Sequence, residues 1–403
     1  MNAVRTGRHR VKTLGVVAIS CGLLVTATAV LLGLASSPPL GGGAAHGVSR
    51  VPGRAPFEAD VWKTDFSKAA VDLETIVSGG VPRDGIPPLH NPKFVAVAAA
   101  AVWLRDREPV IALEVNGDVR AYPLQVMTWH EIVNDTVGGV PVAVTFCPLC
   151  NSAIAFERRV DGTTLDLGTT GKLLNSDLIM WDRQTESWWQ QLTGDAIVGS
   201  FTGKRLEPLS TSLIAWGQFQ RTFPGGRVLS RETGFSRPYG ENPYAGYDDV
   251  GSSPFLFRGR TDGRLSAMAR VVTVTRAAED VAYPYETLQQ LQAVHDKVSG
   301  ADIVVLWAPG AASALDTGHI PDGREVGATG VFDRTLQGRL LTFSALDGGL
   351  FRDAETGSMW DILGKATAGA LAGASLTPVV HGDQFWFAWA AFRPDTRVYT
   401  RVG

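Results

Sequence analysis

The sequence predicts an α+β fold: mostly antiparallel strands with few helices, internally duplicated, and preceded by one N-terminal transmembrane helix. Three observations predict it. From Phe94 onward, short apolar runs alternate with turn residues at close intervals, the pattern of strands joined by hairpins. The 45 glycines and 22 prolines, set against only 19% charged residues, favour a turn-rich body over a helical bundle. Finally, parts of the chain recur: Ala121-Tyr122-Pro123 returns 161 residues later as Ala282-Tyr283-Pro284.

Residues 1–12 carry Arg5, Arg8, Arg10 and Lys12 and no acidic side chain, so they read as a basic cytoplasmic tail. Residues 13–35 follow without a charge. A helix needs about 20 apolar residues to cross the hydrocarbon core, so this run reads as a single-pass anchor, with a long cleaved signal as the competing reading. Cys21 lies inside the run and is followed by more apolar sequence, which argues against lipid attachment there. Either way the body is expected outside the cytoplasm, on the cell membrane. Residues 36–61, rich in Pro, Gly, Ala and Ser, read as a flexible spacer.

Within the body, Val110–Val115 and Val119–Tyr122 flank Asn116-Gly117, which suits the positive φ values of a type I′ hairpin. Val126, Trp129, Ile132 and Val133 stand at helical spacing, predicting a helix over Gln125–Val133 that Gly138-Gly139 ends. The apolar run Val140–Phe146 predicts a buried strand leading into Cys147-Pro148-Leu149-Cys150. A second hairpin turns at Asp161-Gly162, and a third turns at Asp182–Thr185 between Leu178–Trp181 and Ser187–Leu192.

The step of 161 continues without a gap. It aligns Asp135 with Asp296, Val142-Ala143-Val144 with Ile303-Val304-Val305, and Pro148 with Pro309. Residues 62–230 are therefore expected to form a first repeat, 231–270 an inter-repeat loop segment with Tyr239, Tyr244 and Tyr247, and 271–403 a second repeat. The differences between the copies are informative. Cys147 and Cys150 fall on Ala308 and Ala311, and His130 on Leu291. A corner that the second copy builds without sulfur does not need sulfur for its shape.

The segments Ala121–Asp135, Thr145–Phe156, Gly171–Gln191 and Asn242–Asp249 resemble the domain of unknown function 3179 family, from about Phe94 to the C-terminus. The Cys-Pro-Leu-Cys motif beside Asp-Arg-x-Thr-Glu-Ser carries the resemblance. It implies an exported or membrane-anchored protein of the same architecture and brings no established reaction.

Three chemistries are open to the cysteine pair. Two residues between cysteines suit a reversible disulfide whose first thiol is readily ionised, as in a thiol-dependent oxidoreductase. With His130 as a third ligand, Cys147 and Cys150 suit copper or zinc and leave a coordination position open. Asp182 and Glu186 could supply acid–base groups beside either site, and Glu131 or Asp135 could orient the imidazole. The alternative is a non-catalytic exported binding or scaffold module with a structural disulfide, in which Asp182 and Thr185 serve only their turn. Partners expected are the membrane, through the N-terminal helix, and an extracytoplasmic redox partner or small ligand. The mildly acidic body offers no footprint for nucleic acid, and no phosphate-binding glycine pattern or Gly-x-Ser-x-Gly elbow supports nucleotide binding or serine hydrolysis.

Overall fold

The computed structural model describes residues 61–400. The expected anchor at 13–35, and the spacer up to residue 60, lie outside the described residues. Among the described residues no helix is long and apolar enough to cross a membrane.

The body is mainly strand, in antiparallel and mixed sheets, with a few short helices. Three five-stranded sheets and one two-stranded hairpin, Arg159–Val160 with Thr163–Thr164, form from residues 77–229. The first runs Thr211–Ala215, Pro109–Val115, Asp118–Pro123, Arg227–Leu229 and Phe94–Ala96 from edge to edge. The second runs Glu207–Leu209, Ser152–Glu157, Val140–Cys147, Ile132–Val137 and Leu89–His90. The third contains Leu167–Leu174, Asp177–Asp182 and Trp188–Gln190 at its centre. Alternation puts Ile111, Leu113, Tyr122, Val133, Val142 and Val144 into one core between the first two sheets. Each large apolar side chain removed from water there stabilises by roughly 1.5–3 kcal/mol.

The same elements appear in the same order from residue 270 onward. Arg270–Arg276 and Glu279–Pro284 form a hairpin, helix Tyr285–Leu291 follows, and Ala293–Val298 pairs with Ala301–Ala308. Hydrogen bonds recur with them. The Tyr122 hydroxyl donates to Asp135 Oδ2 at 2.7 Å, and the Tyr283 hydroxyl donates to Asp296 Oδ2 at the same distance. Trp189 Nε1 donates to Asp182 at 2.9 Å, and Trp360 Nε1 to Asp353 at 2.8 Å.

Asn116 and Gly117 take positive φ and join Pro109–Val115 to Asp118–Pro123, as the hairpin signal predicts. The expected helix is shorter than its periodicity suggested. It spans Leu124–His130, stops where Glu131 adopts φ +58°, and gives way to strand Ile132–Val137. The β-branched Ile132 and Val133 belong to that strand, so their helical spacing was coincidence. Gly138-Gly139 consequently closes a hairpin between two strands. Glycine is required at 138, where φ is +54° and a Cβ would lie 2.1 Å from the Val115 carbonyl oxygen.

Between Leu229 and Arg270 there is no helix or strand. Tyr247 of this segment donates its hydroxyl to the Leu149 carbonyl at 3.0 Å, directly over the cysteine turn. The turn is also held from a distant part of the chain, since Phe385 N donates to the Cys150 carbonyl at 2.8 Å. Cys147 and Cys150 thus pack in one core with Leu178, Met180, Trp189 and Trp386. Ala308 and Ala311 sit in another core with Trp216, Phe351 and Trp360.

Candidate functional site

Strand Val140–Cys147 delivers the first thiol, and a tight hairpin returns the chain so that Cys147 pairs with Ser152. Cys150 N donates to the Cys147 carbonyl at 3.2 Å, and Asn151 takes φ +50° to complete the turn. This geometry points both sulfurs to the same side. Both are free thiols, 1% and 0% exposed.

Asp177 meets them from the third sheet. It opens strand Asp177–Asp182 after Asn175 and Ser176, both at positive φ, which is rare for serine and marks a tight type I′ turn. One ligand atom each from Cys147, Cys150 and Asp177 lies within 4.8 Å of the others, and all three residues are buried. Asp177 Oδ2 accepts from Leu192 N at 2.9 Å and from the Gln190 side-chain amide. Its Oδ1 has no partner. Both thiols also pull the carboxyl down as weak hydrogen-bond partners, although no hydrogen bond of full geometry reaches Oδ1. Other orphaned buried polar atoms gather around the same place: Asn151 Nδ2, Ser152 Oγ, Gln190 Oε1 and Gln191 Oε1. Such atoms are costly in an apolar core, and most proteins keep few of them.

Electrostatics sharpen the picture. Burial pushes the Asp177 carboxyl up to about 6 despite its donors, and burial together with the Asp177 charge pushes Glu131 up to about 8. Burial also raises both thiols, Cys150 the more strongly, with the negative charge of Asp177 adding to each. No lysine or arginine is among the groups acting most strongly on any of the four. Four acidic groups therefore share one dry region in which burial and mutual repulsion outweigh any balancing charge.

Glu131 owes its place to the kink after helix Leu124–His130, where its carbonyl accepts from Phe146 N at 2.8 Å. Gln292 makes the same kink in the later part of the chain, at φ +58°, and its carbonyl accepts from Trp307 N at 2.8 Å. The backbone thus works equally well with an uncharged amide.

The structure separates the remaining sequence candidates from the sulfurs. His130 is buried, but its Nδ1 meets the Pro87 carbonyl and its Nε2 the Tyr239 hydroxyl, each at 2.7 Å, and it lies outside the cysteine–aspartate cluster. Burial pulls its imidazole down to about 4, so it is neutral near pH 7. His130→Ala should cost about 1–3 kcal/mol of stability through orphaned partners, while thiol accessibility and metal content per folded chain stay at wild-type levels.

Asp182 is fully buried in its own turn, accepting from Thr185 N at 2.6 Å and from Trp189 Nε1 at 2.9 Å. Glu186 pairs with Arg83 at 3.1 Å and accepts from Lys63 N at 2.7 Å. Neither carboxylate joins the cluster. Asp182→Ala should destabilise by about 3–5 kcal/mol, because it strands buried donors. Urea unfolding checks the loss, and thiol titration of the folded fraction should show no change.

Sequence reasoning passed over Asp177. The signal was present: a lone carboxylate at the head of Leu178-Ile179-Met180-Trp181, a run that only a fully buried strand would carry.

A family model described as a protein of unknown function, DUF3179, matches residues 83–396. The chain belongs to the DUF3179 family. No curated protein and no solved structure matches it. The match takes in every group of the site in this DUF3179 chain, from Glu131 through the two cysteines to Gln190.

Proposed function

We propose that this DUF3179 protein holds a thiophilic metal ion, of the copper or zinc class, on Cys147, Cys150 and Asp177. In this reading the body is carried outside the cytoplasm on the N-terminal apolar helix, and it is an internal duplication of which one copy is loaded. The observation that carries the proposal is the cluster itself: a fully buried carboxylate, whose Oδ1 has no hydrogen bond of full geometry, with two thiols inside 4.8 Å that act on it as weak partners. Binding one ion at about 2.0–2.3 Å would need the three side chains to close inward from their present separations of up to 4.8 Å. Thiolates select soft and borderline ions, and a cation would offset the acidic groups gathered here.

Comparison between the copies supports a functional role. At the step of 161, Cys147, Cys150 and Glu131 become Ala308, Ala311 and Gln292. Asp182, Thr185 and Ser187 recur at a step of 171 as Asp353, Thr356 and Ser358, with the same turn hydrogen bonds, whereas Asp177 falls on the exposed Gly348. The turn scaffold is kept and the acidic groups are not.

Burial argues against a dithiol that a protein partner must reach. Elemental analysis of protein purified without chelator, paired with thiol titration before and after unfolding, tests the reading. One ion per chain, absent from Cys147→Ser, supports it. Two titratable thiols with no metal, or a disulfide that cycles with a mild thiol couple, would move the assignment to redox chemistry. A disulfide that resists reduction leaves a scaffold.

A further inference from the structure

A cavity of about 560 Å³ lies against the third sheet, lined by Asp72, Asn175, Gln190, Thr193, Ala196 and Arg393 among others. Gln190 joins it to the buried cluster. Its amide nitrogen donates to Asp177, while its backbone N is fixed to the Asp195 carbonyl at 2.8 Å. Gln190 therefore touches both the cavity and the carboxylate. Gln190 is 1% exposed, and its Oε1 has no partner. Asp72 and Asp195 are offset in charge by Lys204 and Arg393, so the lining carries no net charge, and Val71, Leu174, Ile197 and Phe392 make much of it apolar.

We infer that this cavity is the way in for the ion and that the Gln190 side chain is its gate, which rests on the metal reading above. The species admitted is a small hydrated cation. Its coordinated water donates to Gln190 Oε1, and a swing of the amide then frees Asp177 Oδ2 as the ion passes. The other copy supplies a contrast. A cavity lined by Gly348, Gly349 and Asp361 lies at the corresponding place, but Asp361 replaces Gln190 at the step of 171. Its carboxylate is tied down by Thr222 at 2.8 Å and by Leu363 N and Lys365 N at 3.0 Å. The gate thus accompanies the copy that has sulfur.

Cobalt(II) is the probe, because its thiolate charge-transfer absorption reports cysteine ligation. Thr193→Trp places an indole in the cavity from a half-buried rim position, and Thr163→Trp, on an exposed hairpin elsewhere, is the control. Thr193→Trp should load roughly tenfold more slowly than wild type, with the same final absorbance per chain, as expected when a passage limits the rate. Alkylation of the native thiols by iodoacetamide should slow in parallel, and Thr163→Trp should match wild type in both. Loading and alkylation at wild-type rates in Thr193→Trp overturn the inference. Should that variant fail to fold, Ala70→Trp at the exposed rim of the same cavity carries the test. If wild type shows no cobalt–thiolate absorption, the metal reading falls, and the alkylation rates alone still decide whether the cavity is the route to the sulfurs.

Discussion

Glu131→Gln is expected to stabilise the metal-free protein by about 2–5 kcal/mol at pH 9 and to leave it unchanged at pH 4. The sign follows from the folded carboxyl titrating near 8 while its ordinary value is 4.5. Below 4.5 both folded and unfolded chains hold the proton, and stability is indifferent to the group. Between 4.5 and 8 the unfolded chain releases its proton first, so stability falls as pH rises, and above 8 the full penalty of the buried charge is present. A glutamine resembles the protonated acid and removes that penalty. Gln292 shows that the same backbone kink accepts it. Urea unfolding at several pH values, with chelator present, checks the result, and equal pH slopes for wild type and variant would refute it.

Asp177→Asn should reduce metal retention by about 100-fold or more and still give a folded chain. The amide oxygen can go on accepting from Leu192 N and Gln190, so the local hydrogen bonds survive. The metal-free variant should also gain stability above pH 6, by about 3 kcal/mol at most, since the carboxyl it replaces is raised from 3.8 to about 6. Because the Asp177 charge helps to raise Glu131, the two substitutions should gain less together than their sum. Metal content by elemental analysis and unfolding midpoints at pH 5 and 8 give both readouts. Wild-type metal content in Asp177→Asn would remove the carboxylate from the site.

Much of the strand framework was legible because hairpins announce themselves locally. Asn116-Gly117 and the turn after Asp182 were read correctly from residues whose backbone preferences are their own. The run into Cys147 was legible for the same reason, as a continuous apolar strand. Helix Leu124–His130 was read two or three residues too long because Ile132 and Val133 mimic its period, and the kink at Glu131 leaves no mark in the amino-acid type. The site was only half visible. Its sulfurs lie three residues apart in sequence, whereas Asp177 reaches them across sheets and Gln190 reaches Asp177 across a ladder. Pairing of that kind depends on tertiary register, to which spacing along the chain is blind. His130 was grouped with the cysteines by proximity in the chain, yet the fold spends its ring on Pro87 and Tyr239.

The hydrogen bond from Phe385 to the cysteine turn has a bearing on biosynthesis. A ribosome adding about 5–20 residues each second needs tens of seconds to travel from Cys150 to Phe385. Throughout that interval the nascent turn lacks its last covering strand, and the sulfurs are reachable from the side that this strand later closes. On the metal reading proposed above, loading would then begin during synthesis, and chains made in metal-poor and metal-rich media should differ in occupancy even after identical purification.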